Sequence, residues 1–459
     1  MKYIDEPLIH GLLAEAKNVP AAEIEAIINK SLKLERLSLK ETAALLSVED
    51  PATLAKLYRA AAEVKDRIYG KRVVLFAPLY ISNICANGCL YCAFKADNKQ
   101  LVRKALNAAE IKEEVAILLS KGHKRILLVA GESAPAGQKP IDYYVEAVKA
   151  IYEVKVGPHK IRRVNINCAP LEVDEFRRLK EAGIGTFQIF QETYHEATYR
   201  RVHPFGPKSD PDNRIDSVDR AMTAGIDDVG IGVLYGLYDY KFETLALLAH
   251  IEHLEAKFKV GPHTISVPRI EPALGSDLST HIPHPLTDEQ FKKVVAVLRL
   301  AVPYTGLILS TRETAEMRDE LFNLGISQVS AESKTAPGGY GEKDPNAQFV
   351  LNDHRSLDEV IASLLERGFI PSFCAACYRS DRTGEAFMNL AKPGTIKGKC
   401  SLNALITLKE YLDDFASTRV RQDGYKLIDR IKDNLDDSDC SKLAKFFASI
   451  EDGARDEYV

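Results

Sequence analysis

The chain has 459 residues, a hydrophobic share of 46% and a formal net charge of -4, from 61 basic and 65 acidic side chains. That length bounds it to one large domain with additions or two to three ordinary ones, and its composition excludes extensive disorder. The near balance of charge excludes a global field for nucleic acid or membrane surface. Acidic residues interrupt MKYIDEPLIHGLLAEAKN where a signal peptide needs an apolar core, and no run reaches the roughly 18 apolar residues that span a bilayer. The expectation is a soluble cytoplasmic protein.

Residues 1–70 read as a helical segment, with Ser38 as an N-cap three residues before Glu41. The pattern then changes. Apolar, β-branched runs recur at 73–81, 125–132, 162–170, 186–194, 228–236, 263–270, 305–311 and 326–333, with helical stretches between. This alternation predicts an α/β fold built on a parallel sheet with right-handed crossovers. Eight strands over 71–340 suggest a closed (β/α)8 TIM-type barrel, a doubly wound open sheet being the alternative. After the Gly/Pro-rich stretch 335–348, residues 341–459 form a mainly helical C-terminal domain.

Eight cysteines are too sparse for a disulfide framework, and their grouping is informative. Cys85, Cys89 and Cys92 give C-x3-C-x2-C directly after the first predicted strand. Thiolates are soft donors, and three on a tight loop can hold three irons of a 4Fe-4S cluster. The fourth iron stays open to chelate the amino and carboxylate groups of S-adenosylmethionine (SAM). A structural zinc site normally closes with a fourth ligand, and the nearest downstream histidine is His123. The spacing, with Tyr91 before the third cysteine, resembles the signature of the radical SAM superfamily. The resemblance implies that Tyr91 packs on adenine, and that Ala130-Gly131-Glu132, ending the second strand, holds the methionyl ammonium. Asn165 and Asn167, then Gln191, Glu192 and Thr193, end the next two strands on the face where such barrels work.

A second group, Cys374, Cys377 and Cys400, gives C-x2-C-x22-C. Spacing alone leaves a zinc ribbon lacking one ligand open, but beside the first group it suggests another iron-sulfur cluster with one open iron. Cys168 and Cys440 read as structural. With RIYGKRVVLFAPLYISN, FQETYHEATYRRVHPFGPK, VGPHTISVPRIEPA and PYTGLILSTRE, this arrangement is similar to the HydG family of iron-iron hydrogenase maturases over nearly the whole chain. The thiamine-pathway tyrosine lyase, ThiH, has a similar barrel without the three-cysteine tail.

The resemblance implies a tyrosine lyase that releases p-cresol and dehydroglycine and converts the latter to carbon monoxide and cyanide on iron for H-cluster assembly. The alternatives are a simple lyase of the ThiH type and a non-catalytic iron-sulfur scaffold or electron carrier. It also implies SAM, two 4Fe-4S clusters and an extra iron with a bridging cysteine. Partners would be L-tyrosine, a ferredoxin- or flavodoxin-type electron donor and hydrogenase assembly proteins. Arg312 is the first candidate to clamp the tyrosine carboxylate and Arg269 the second, since a guanidinium binds carboxylate bidentately. The alternative for either arginine is a structural salt bridge. Ser310 and Ser330 are candidate hydroxyl donors. His253 and His263 are candidate ligands of the extra iron, and the resemblance favours His253. His195 and His203, after the fourth strand, are candidate substrate-site residues without an assigned role. A toxic gaseous product calls for an enclosed passage through the barrel from one cluster to the other.

Overall fold

In the computed structural model, residues 1–341 and 346–459 are described; residues 342–345, inside the Gly/Pro-rich stretch, lie outside them. The chain opens with helices Glu6–Glu15, Ala21–Leu32, Leu39–Leu46 and Pro51–Tyr69. Ser38 caps the third in a reciprocal capping box with Glu41, as the sequence predicts.

Eleven strands follow among the described residues: β1 (Arg72–Ser82), β2 (Arg125–Ala130), β3 (Lys155–Val156), β4 (His159–Lys160), β5 (Arg163–Asn167), β6 (Phe187–Glu192), β7 (Val229–Val233), β8 (Thr264–Ser266), β9 (Gly306–Leu309), β10 (Gln328–Ser330) and β11 (Ile370–Ser372). Eight of them, β1, β2 and β5–β10, pair in parallel in chain order, and β10 closes onto β1 with Val74 opposite Gln328. Closure rejects the open-sheet alternative and gives the (β/α)8 barrel.

Apart from β1, which outruns 73–81 at both ends, the barrel strands are shorter than the apolar runs that predict them. The run 263–270 yields only Thr264–Ser266, because Pro268 has no N–H to continue a ladder. Two features lie outside the sequence expectation. β3 and β4 form a small antiparallel hairpin. β11, inside the segment expected to be helical, pairs in parallel with the start of β1, Arg72 opposite Ile370.

That pairing seats the C-terminal segment under the barrel, at the N-terminal ends of the strands. Its central helix, Ile396–Asp414, is buried from Leu402 to Leu412 and packs on β11, on Pro51–Tyr69 and on the outer helices Thr418–Lys432 and Asp437–Glu451. One hydrophobic core runs from Ile9 to Ile450, so the helical ends and the barrel are packed together. Among the described residues no helix is long and apolar enough to cross a membrane.

Candidate active site and lower cysteine centre

The upper site begins where β1 ends. The loop carrying Cys85, Cys89 and Cys92 has no regular hydrogen-bond ladder, so side chains hold its backbone. Arg103 donates to the carbonyls of Asn83 and Phe94, both at 2.8 Å, and Asn98 donates to those of Ala93 and Leu274, also at 2.8 Å. Gly131 lets β2 end against this loop. A Cβ there would stand 2.2 Å from the Ile84 carbonyl oxygen, while its N–H donates to Ser82 at 2.8 Å.

All three thiols line one chamber at the top of the barrel, of about 1350 Å³ with its mouth included. Two N–H groups point at Cys92 Sγ, from the Phe94 backbone at 3.4 Å and the Gln348 side chain at 3.5 Å. Burial pushes the thiols up, Cys89 to about 12 and Cys92 to about 11, so thiolates here need a cationic partner such as iron. Among the described residues, no three His, Cys, Asp or Glu side chains converge as on a single ion. Cluster ligands, each on a different iron, stand farther apart than zinc ligands, so the donor set fits a cluster better.

Beside the thiols lies a compensated charge network. Glu132 accepts from Arg214 at 2.7 Å and from Asn87 at 2.8 Å, and Glu192 accepts from Lys208 at 2.7 Å. Burial alone would raise the Glu132 carboxyl, but Arg214 and Lys208 outweigh it and hold it below the usual range. Glu192 takes a positive φ of 72°, rare for a residue with a side chain. Tyr91 bonds His203 Nε2 at 2.8 Å, with Lys208 5.6 Å from its ring centroid.

Across the chamber, Arg312 stands after β9, its guanidinium 3.3 Å from the Phe349 ring centroid. It is half-buried, and no carboxylate pairs with it among the described residues; desolvation lowers its pKa. Ser310 and Ser330 share the lining, as do Ala130, Gly131, Glu132, Asn167 and Glu192.

Other candidates are placed elsewhere. Arg269 is taken up by Glu313, 3.0 Å from its Nε, and by Asp288 at 2.8 Å, which makes it the structural salt bridge. Asn165 turns to the lower barrel, accepting from Arg163 and from the Thr186 N–H, both at 3.1 Å. Gln191 points outward and donates to the Pro211 carbonyl at 3.1 Å. His195 caps the helix Glu196–Val202 and stacks on Tyr238. Cys168 is buried and Cys440 lies on an outer helix.

The chamber lining reaches down to Phe76, Gln188, Ser266, Ile308 and Ser330. Beneath it the Gln188 amide donates to Thr264 at 3.2 Å, and a Cβ on Gly306 would meet the Gln328 amide at 2.8 Å. Amide side chains line the barrel interior at the level where the sequence predicts a passage.

At the bottom, Cys374 follows β11, Cys377 sits in the short helix Ala376–Arg379 and Cys400 in Ile396–Asp414. Burial and the two neighbouring thiols push Cys377 up to about 11. Two strand-start arginines face this group: Arg125 donates to the Cys374 carbonyl, and the thiols act to raise the pKa of Arg72. His263 opens β8 beside them, 5.9 Å from the Tyr378 ring and 4.6 Å from Phe387, with Nδ1 3.7 Å from Asp228 Oδ1. His253 lies on the outside of the helix Tyr240–Phe258, bonded to Asp219 at 2.9 Å and stacked on Tyr3. Of the two candidates, it is His263 that packs on Tyr378, the residue after Cys377, against the preference drawn from the resemblance.

The radical SAM superfamily model matches residues 79–250, and the biotin and thiamin synthesis associated domain matches 266–370. The 2-iminoacetate synthase of Escherichia coli (strain K12) is 34% identical over 76% of this chain and 89% of its own length. A crystal structure of HydG, described as a maturase of the [FeFe]-hydrogenase, superposes with a TM-score of 0.97 at 46% identity and covers all of both chains. The chain belongs to the HydG family of radical SAM enzymes. HydG from Carboxydothermus hydrogenoformans is a further match, with a TM-score of 0.83 at 41% identity over 96% of this chain and 97% of that one. A member of the HydG family uses SAM and 4Fe-4S clusters. Both matched models end before Cys374, so the lower cysteines lie outside them.

Sequence reasoning missed Asn87, Lys208, Arg214, Gln348 and Phe349 at the upper site, and Asp228, Arg72 and Arg125 at the lower one. The strand-start arginines carried a signal, since a charge opening a buried strand requires a partner. Lys208 and Arg214 sit in a polar loop and helix, where nothing in the pattern sets them apart.

Proposed function

We propose that the protein is a HydG-type tyrosine lyase that cleaves L-tyrosine to p-cresol and dehydroglycine and turns the latter into carbon monoxide and cyanide on iron. The observation that carries this reading over the simple lyase is the lower group of Cys374, Cys377 and Cys400 with His263. It lies beyond the region matched by the two family models.

Cys85, Cys89 and Cys92 would hold the upper cluster, which with SAM would supply the radical chemistry that starts tyrosine cleavage. Glu132 and the Gly131 backbone receive the methionyl ammonium, and Tyr91 supports adenine. Arg214 and Lys208 hold the Glu132 carboxyl below its usual range and orient both Glu132 and Glu192, so the network needs no rearrangement when a cation arrives. Arg312 clamps the substrate carboxylate, which supplies the anion its half-buried guanidinium otherwise lacks. Phe349 fixes the plane of that guanidinium, and Ser310 and Ser330 offer hydroxyls to the polar end of tyrosine.

Below, Cys374, Cys377 and Cys400 would hold the second cluster, and His263 would offer an imidazole nitrogen to the iron that receives the product. The protein acts in the cytoplasm with an electron donor and hydrogenase assembly proteins. The test is anaerobic: reconstituted protein with SAM, dithionite and L-tyrosine, assayed for p-cresol, carbon monoxide and cyanide together. All three are expected. p-Cresol alone would replace this reading with the simple lyase, and absence of SAM cleavage would favour the scaffold.

A further inference from the structure

The barrel is followed by a strap, residues 346–353, that turns back over the mouth of the upper chamber before the chain descends to β11. Backbone hydrogen bonds lash it to the rim. The Asn352 and Asp353 N–H groups donate to the Thr311 carbonyl at 3.0 and 3.2 Å, the Val350 N–H to the Pro272 carbonyl at 2.8 Å, and the Gln348 N–H to the Thr335 carbonyl at 2.9 Å. The Gln348 carbonyl in turn accepts from the Ala93 N–H at 3.4 Å, and Ala93 is the residue after Cys92. Gln348 is thus fixed on both sides beside that cysteine, and its side chain enters the chamber.

The amide bridges two partners. Tyr80, buried near the end of β1, donates its hydroxyl to Gln348 Oε1 at 2.8 Å, and Gln348 Nε2 donates to Cys92 Sγ at 3.5 Å. The sulfur decides which way the amide points. A tyrosine hydroxyl donates or accepts, but a cluster thiolate only accepts, so the amide nitrogen faces Cys92 and its oxygen Tyr80. The three sulfurs are not served alike. Asn87 stands 3.7 Å from Cys85 Sγ but makes its closer bond, at 2.8 Å, to Glu132, and no N–H is directed at Cys89 Sγ among the described residues. A residue that only filled the chamber mouth would need no amide, and no buried hydroxyl to aim it.

Resting on the radical SAM reading above, we propose that Gln348 is a positioning residue that raises the reduction potential of the upper cluster through its N–H···S bond to Cys92, with Tyr80 aiming the amide. A cluster reduced by one electron carries one more negative charge, part of which falls on the cysteine sulfurs. A donor aimed at one of those sulfurs stabilises the reduced form more than the oxidised one. Removing the donor therefore makes the cluster harder to reduce, while the cysteines and Glu132 keep their other contacts.

The experiment is anaerobic potentiometry on the reconstituted holoenzyme, comparing the wild type with Gln348→Met, which keeps an unbranched side chain but has no N–H, and with Tyr80→Phe. The upper cluster is followed by electron paramagnetic resonance as the reduced signal that changes when SAM is added, and iron content is measured beside it. Gln348→Met should hold about tenfold less reduced upper cluster at a fixed potential, a midpoint lower by about 59 mV for one electron. Tyr80→Phe should shift it the same way by less, and the lower cluster should not move. Asn346→Ala is the control, because Asn346 accepts from the Val102 N–H at 3.1 Å in the same strap and directs no group at a sulfur. An unshifted midpoint in Gln348→Met overturns the proposal, and so does an equal shift in Asn346→Ala, which would assign the effect to solvent entry. If Gln348→Met fails to load the cluster, Tyr80→Phe decides, and no shift there overturns the proposal. A wild type without any SAM-responsive signal would break the radical SAM reading itself.

Discussion

The two cysteine centres are built in opposite ways. The upper three thiols come from one eight-residue stretch, on a loop pinned by Arg103 and Asn98, beside a network in which Glu132 and Glu192 are matched by Arg214 and Lys208. The lower three come from three elements, and Arg72 and Arg125 face them with Asp228 and His263 to one side. The upper centre is a local structure that the barrel presents. The lower one exists only because β11 and the helix Ile396–Asp414 dock beneath β1. A loop centre with balanced charge suits reversible binding of a small cation such as SAM. A centre assembled between elements and rich in cations suits retention of an anionic cluster and its anionic cargo.

The comparison can be broken most severely at the upper loop. Cys89→Ala should abolish both SAM cleavage and p-cresol, assayed anaerobically with dithionite; surviving p-cresol would remove the upper cluster from the mechanism. The next largest effect tests the clamp. Arg312→Leu removes a charge-assisted contact worth about 1.5–3 kcal/mol, so kcat/KM for tyrosine should fall roughly 10- to 150-fold. Arg312→Lys should recover part of it, while SAM cleavage without tyrosine stays unchanged. Arg269→Ala should act on stability instead, lowering Tm with kcat/KM for tyrosine nearly intact, because its partners are Glu313 and Asp288.

What could be read in the sequence follows the same division. The upper cysteines were legible because cluster chemistry fixes short spacings within one loop, and the eight strands because buried parallel strands are continuous apolar runs. His253 against His263 was not legible. Both stand in polar-apolar surroundings, and which one lies near the lower cysteine segment depends on where Tyr378 and Phe387 dock. β11 was hidden for a related reason: three residues containing Pro371 carry no strand signal, and only the free start of β1 makes them one. Arg312 and Arg269 looked alike at the ends of neighbouring strands, and were separated by the nearby Glu313, which captures Arg269.

The smallest effect concerns the wall behind the upper site. Glu243 is buried and accepts from the Thr193 hydroxyl and the Tyr194 N–H, the two residues after Glu192. Burial raises its carboxyl to about 8, despite those two bonds. The folded state therefore binds a proton that the unfolded state has released above its own lower pKa. Stability is fully present below the unfolded value and is lost as pH rises through about 8. Glu243→Gln should flatten that decline and raise Tm at pH 8.5 by about 1 °C, corresponding to about 1 kcal/mol. An equally steep Tm decline in the variant would assign it to other groups.

The most direct test of the division between the centres is a single anaerobic comparison of the wild type with the Cys374→Ala, Cys377→Ala double variant. p-Cresol is measured by chromatography and iron-bound carbon monoxide and cyanide by infrared spectroscopy in the same samples. The account predicts p-cresol within about twofold in both, since the barrel and its upper loop do not depend on those thiols for their hydrogen bonds, and iron-bound products only in the wild type. Iron-bound carbon monoxide and cyanide in the double variant at wild-type levels would contradict it.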